Sequence, residues 1–160
     1  MKYNAAVLLA AALLACSPQP AAEATPKAEA SEPARHPVSG LQVIPLTVTT
    51  AAGPRRFMVE VAATAAEQQK GLMFRTAMGP DEGMIFPNSP PQPRSFWMKN
   101  TVIPLDIIYI GPDRRVLNIV SGEPYSTTSL PSAGPVINVL ELVAGRSAEL
   151  GIEPGDPVAW

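Results

Sequence analysis

Two residue types that build many catalytic and metal sites are nearly absent from this chain, which has one cysteine and one histidine in 160 residues. A lone cysteine forms neither an internal disulfide nor a cysteine-rich zinc site. A lone histidine, His36, excludes a two-histidine metal centre. Charge is also scarce, at 16% of residues with a formal net charge of −2. No clustered basic surface follows from that balance, so no nucleic-acid partner is expected. Nucleotide loops of the Walker or G-x-G-x-x-G type, the G-x-S-x-G elbow and the H-E-x-x-H zinc motif are all missing. No metal and no cofactor are expected. A membrane-crossing helix needs about 20 apolar residues, and the run 5–15 supplies eleven.

That run reads instead as a secretory signal. Lys2 precedes it, and it ends at Leu13-Leu14-Ala15-Cys16. A charged start, an apolar centre and a small residue before the cut are the parts of an export signal. The last four residues resemble a bacterial lipobox. The resemblance implies a diacylglyceryl thioether on Cys16, cleavage after residue 15 and acylation of the new amino terminus. Multiple acyl chains hold a protein on a membrane essentially permanently. Ser17 rather than aspartate follows the cysteine. By the same resemblance this implies the periplasmic face of the outer membrane of a diderm bacterium.

Proline is what the chain has in excess, with 19 residues. Five of them fall in 17–40, together with six alanines and no aromatic residue. Such a segment buries too little apolar surface to offset chain entropy. Residues 16–40 are therefore expected to be a lipidated cysteine and a disordered tether, with His36 a solvated residue within it. A flexible 24-residue spacer spans roughly 25–30 Å.

The folded domain is expected over 41–160, as a monomer. Leu41–Thr49 and Arg56–Val61 alternate apolar and polar residues around Ala51-Ala52-Gly53-Pro54, which predicts a hairpin. Thr64 and Glu67 have capping-box spacing, opening a helix that stops at Gly71. Short strands are expected at Met84–Phe86 and Ser95–Lys99. Between them Pro87, Pro90, Pro91 and Pro93 predict an irregular loop. Further strands are expected at Val102–Ile110, Val116–Ser121, Val136–Val143 and Asp156–Trp160, with a helical turn at Arg146–Leu150. The sum is a mainly β domain with one or two short helices, either barrel-like or a strongly curved sheet.

Three segments carry a family signature: Gly71-Leu72-Met73-Phe74-Arg75, Gly83-Met84-Ile85-Phe86 and the block from Phe96 to Asp106. With Leu140-Glu141-Leu142, Gly145 and Gly155-Asp156, they resemble the domain of unknown function 192 family over residues 41–160. The resemblance implies a small β-rich domain, often exported in bacteria and sometimes lipid-anchored. The family has no agreed catalytic residues, so it carries no site over.

The residues themselves offer several sites. Asp106 is the only charge in Val102–Ile110, and a buried carboxylate needs a partner. It could pair with Arg75, Arg94, Lys99 or Asn100, accept backbone hydrogen bonds near Pro104, grip a polar ligand or act as a general base. Glu141 is the only charge in Val136–Val143 and could face the same cavity or lie on the outer face, the commoner fate of a lone glutamate in a strand. If both face the cavity, the two acids could support a carboxylate-based enzyme. Met73, Met78, Met84 and Met98 could bind Cu(I) or fill an irregular core. Phe96, Trp97, Met73 and Met84 could line an open pocket. The function these readings favour is a membrane-tethered envelope binding module for a small polar ligand, a glycan or a protein partner, rather than an enzyme.

Overall fold

The computed structural model describes residues 34–160. The signal, Cys16 and most of the tether lie outside them. Strands β1 (Val43–Thr50) and β2 (Gly53–Val61) form the expected antiparallel hairpin, with Thr50 opposite Gly53. Helix α1 (Ala65–Lys70) follows. The Thr64 hydroxyl accepts from the Glu67 amide at 3.2 Å, and the Glu67 carboxylate accepts from the Thr64 amide at 2.7 Å. These reciprocal bonds satisfy two helix-end donors and hold the Glu67 carboxyl below its ordinary value.

Strand β3 (Glu82–Gln92) is longer than the proline pattern predicts. Its parallel pairing with β2 ends at Val61 opposite Ile85, so no neighbour on that side needs amides from Pro87, Pro90 or Pro91. The register on its other side slips between Pro87 and Gln92. Prolines are tolerated there because the strand has become an edge. β4 is only Ser95–Phe96 and pairs with β7 (Leu130–Pro131) in a two-stranded ribbon. β6 (Val116–Gly122) and β8 (Val136–Val143) follow the sequence pattern closely, whereas β5 (Leu105–Ile110) begins three residues later than expected, just after Pro104. Helix α2 (Arg146–Leu150) and β9 (Val158–Ala159) complete the chain.

The main sheet has seven strands in the order β6-β5-β8-β3-β2-β1-β9. It is mixed and curved but not closed. Near its two edges the chain meets at a single bridge, Arg115 opposite Pro157, backed by hydrogen bonds from Val116 N to Asp156 O and from Val158 N to Arg114 O.

Alternation along the strands gives two cores. The first takes a residue from every strand of the sheet, including Leu46, Phe57, Ile85, Ile108, Val116, Leu140 and Val158. The second covers the other face of β3, β5 and β8. There Met84, Phe86, Ile107, Tyr109 and Val139 pack beneath Ala62, Leu72 and Met98 from the connecting segments.

Residues 34–40 are part of this domain rather than of the tether. Arg35 bridges Gln42, and the Val43 amide donates to Ala34 O at 2.7 Å. Composition predicted a solvated segment here, but its side chains have a charged partner on the sheet. Glu60 of β2 is buried beneath it. Arg75 meets the two Glu60 oxygens at 3.0 Å each, and Ser39 donates its hydroxyl to the same carboxylate. His36 lies 3.6 Å from Glu60 and 3.5 Å from Arg75. The lone histidine is therefore packed in an ion-pair cluster, not solvated.

Candidate functional site

A cavity of about 510 Å3 opens between the second core and its cover. Helix α1 supplies one wall through Gln68 and Lys70. The turn after it supplies Gly71, Leu72 and Met73. The segment from Arg94 to Thr101 supplies the opposite wall, including Phe96, Trp97, Lys99 and Asn100. Phe86 of β3 and Glu141 of β8 come from the sheet beneath.

Local chain geometry explains the positions of these side chains. Residues 97–100 leave the ribbon as a loop, yet their exposure still alternates. Met98 is buried in the core while Trp97 is 51% exposed. Met98 fits because Gly122 opposes it: a Cβ on Gly122 would lie 2.5 Å from the Met98 sulfur. Anchoring Met98 turns Trp97 and Lys99 outward, and the Lys99 ammonium stands 5.3 Å from the Trp97 ring centre. Such a cation–π pair is worth about 0.5–1 kcal/mol at an exposed site. Asn100 adopts a left-handed backbone with φ 57°, a conformation asparagine tolerates better than most residues. Its carbonyl accepts from the Phe74 amide at 2.9 Å, tying the loop to the turn across the cavity. Arg94 is held by Gln68 at 3.2 Å, and Gln68 by the Pro87 carbonyl at 2.8 Å.

Glu141 lies at the floor. It sits opposite Met84 on one side and Ile107 on the other, so three adjacent strands surround it with apolar side chains. It is 5% exposed and makes no side-chain hydrogen bond or ion pair among the described residues. Burial pushes its carboxyl up to about 8. Above it Phe96 packs edge-on against Phe86, with ring centres 5.0 Å apart, and against Tyr109 at 6.2 Å. Tyr109 donates its hydroxyl to the Leu130 carbonyl, and burial pushes it up to about 12. Among the described residues Glu141 is the one acid lining the cavity, against the cations Lys70, Arg94 and Lys99.

The structure divides the residues expected to form a site. Met73, Phe96, Trp97, Lys99, Asn100 and Glu141 come together. Asp106 does not join them. It pairs in register with Leu142 while Ile107 pairs with Glu141, so the two acids project to opposite faces of the sheet. Asp106 instead accepts a hydrogen bond from the Ser147 amide at 2.9 Å, tying β5 to α2. That geometry rules out a two-carboxylate enzyme built from Asp106 and Glu141. Arg75 is likewise spent on Glu60 and lines a neighbouring cavity with Ser39 and Phe74. Met84 and Met98 are core residues, fully buried in the second cluster, and do not line the cavity. Met78 packs against the same cluster, so three of the four methionines serve as core filler. Among the described residues no three His, Cys, Asp or Glu side chains gather as a metal site, and no helix is long and apolar enough to cross a membrane.

Gln68, Gln69 and Lys70 are among the lining residues that sequence reasoning did not place in the site, and it offered Arg94 only as a partner of Asp106. Only the apposition of α1 and the Arg94–Thr101 segment brings them there. Arg94 had one legible signal, its position two residues before Phe96.

Comparison with known proteins places this arrangement. The profile of the DUF192 family, described as an uncharacterized ACR, matches residues 46–160. A solved protein of unknown function from Novosphingobium aromaticivorans DSM 12444 is 59% identical. The match covers 82% of this chain and 95% of that one, with a TM-score of 0.78. A proposed transcription regulator from Sinorhizobium meliloti 1021 is 36% identical over 74% of this chain and 94% of its own, with a TM-score of 0.72. No curated protein matches the chain.

Proposed function

The chain belongs to the domain of unknown function 192 family, and we propose that it is a cell-envelope lipoprotein whose β domain binds a small polar ligand in the cavity above Glu141. The anchor is the acylated Cys16, at the periplasmic face of the outer membrane. Residues between the cysteine and Ala34 let the domain stand off the bilayer.

One observation carries the binding reading: a buried carboxyl opens into a cavity with no partner of its own. Burying a polar group without a hydrogen bond costs about 1–3 kcal/mol. A carboxyl serving only the fold would be partnered, as Glu60 and Asp106 are on this same sheet. The cavity's volume suits a small molecule. Aromatic rings on one wall and amide and cationic groups around it supply stacking and orientation.

Two measurements test the proposal. Spectra of 15N-labelled full chain carrying Cys16→Ser are recorded with a panel of amino acids, sugars and organic acids. Shifts confined to Met73, Phe86, Phe96–Thr101 and Glu141 are expected for at least one probe class; shifts only on other surfaces contradict the site. For the anchor, wild-type chain stays with membranes through an alkaline wash and Cys16→Ala is released. A Cys16→Ala chain that remains bound contradicts lipid anchoring.

A further inference from the structure

The charges in the cavity are sorted by depth. Lys70 and Lys99 are exposed and Arg94 half-buried, whereas Glu141 is at the floor. Phe86 shares the floor with Glu141, Phe96 packs edge-on against Phe86, and Trp97 is half exposed. Among the described residues Glu141 makes no ion pair with any of these cations, and burial pushes its carboxyl up. Two other titratable groups share this face of the sheet: Glu60 on β2, which is paired with Arg75, and Tyr109 on β5, which burial pushes up to about 12 so that it does not ionise near neutrality.

A purely anionic ligand matches the rim and leaves the floor carboxyl a neutral acid. A purely cationic one matches the floor but must pass three cations. A molecule carrying both charges satisfies both ends. We propose that the cavity takes a zwitterionic small molecule, its ammonium group on the Glu141 carboxylate and its anionic group among Lys70, Arg94 and Lys99. A flat or apolar body between the two groups rests on Phe96 and Trp97. This inference rests on the reading of the cavity as the ligand site. Binding has a proton balance: the O–H bond of neutral Glu141 breaks, its proton passes to the buffer, and the ligand ammonium takes its place as the counter-charge. Affinity for such a ligand therefore rises with pH up to about 8.

The test uses three matched probes on the full chain carrying Cys16→Ser: 4-(aminomethyl)benzoate, benzoate and benzylamine. Calorimetry at pH 7 in phosphate and in Tris gives affinity and proton release, and amide shifts give the location. The zwitterion is expected to bind about tenfold or more tighter than either half, releasing about one proton. Glu141→Gln should bring it down to the level of benzoate and abolish the release. Lys99→Ala should weaken the zwitterion and benzoate together. Benzoate or benzylamine binding in the cavity as tightly as the zwitterion overturns the zwitterion and leaves the ligand site standing. No shift at the cavity with any of the three overturns the zwitterion, and no shift there with the wider panel as well overturns the ligand site.

Discussion

Glu60 on β2 and Glu141 on β8 stand directly opposite the same residue, Met84, from its two sides. The three side chains form one row across one face of the sheet, and the two acids are buried almost equally, at 3% and 5% exposed. Glu60 is saturated by Arg75, Ser39 and His36. Glu141 has cavity above it instead of protein. The sheet treats the two positions alike, and the cover over them makes one structural and the other open.

The open acid should weaken the fold as pH rises. Its carboxyl lies at about 8 in the folded chain against 4.5 for an unperturbed one. The unfolded chain therefore binds fewer protons than the folded one between those values, and stability falls as pH climbs through that window. Below about pH 4 both states are protonated and the effect vanishes. Glu141→Gln is expected to stabilise the protein by about 3 kcal/mol at pH 7 and by almost nothing at pH 4. Urea melts at the two pH values check this, and an equal change at both would contradict it.

The saturated acid depends on its partner instead. Arg75→Ala leaves a buried charge uncompensated and is expected to cost about 3–5 kcal/mol. Arg75→Met with Glu60→Gln removes both charges and should recover most of that loss. The coupling energy from a double-mutant cycle reads it directly. Additive losses would mean that the pair is not the reason Glu60 tolerates burial.

Asp106 predicts a local effect. Asp106→Ala strips the acceptor from the Ser147 amide and is expected to cost about 1–3 kcal/mol. Hydrogen exchange should quicken at Ser147, and the chemical shifts of Trp97 and Lys99 should stay in place. Movement of the cavity signals in this variant would tie Asp106 to the site on the other face.

Trp97 is half exposed and its Lys99 contact is a small term, so Trp97→Ala should leave folding stability within about 1 kcal/mol of wild type. The same variant should weaken any ring-bearing probe in the cavity. A large loss of stability would make Trp97 a packing residue instead.

Much of the fold is legible in the sequence because local rules decide it. The Thr64–Glu67 capping box, the β1–β2 hairpin and the limits of β8 follow from spacing and alternation. β3 runs further than its prolines allow, because whether a strand has a partner on one side is settled by the rest of the sheet. Part of the site is legible for a similar reason. Phe96, Trp97, Lys99 and Asn100 are contiguous, and alternation separates Met98 from them. What alternation cannot supply is the offset between strands. Asp106 and Glu141 look equivalent until the register sets Asp106 against Leu142, and that one step puts them on different faces. His36 and Arg75 are likewise hidden, since their partner Glu60 is distant in sequence and meets them only across the domain.

The central claim is that Glu141 is buried, unpartnered and facing a cavity, and a carboxyl in that state announces itself when titrated. Carbon-13 spectra of the Glu141 side-chain carboxyl, followed from pH 4 to pH 10 in the ligand-free chain, measure it directly. The expected midpoint is about 8. A midpoint near the unperturbed 4.5 would show the carboxyl to be solvated or paired, and would contradict the account of the site.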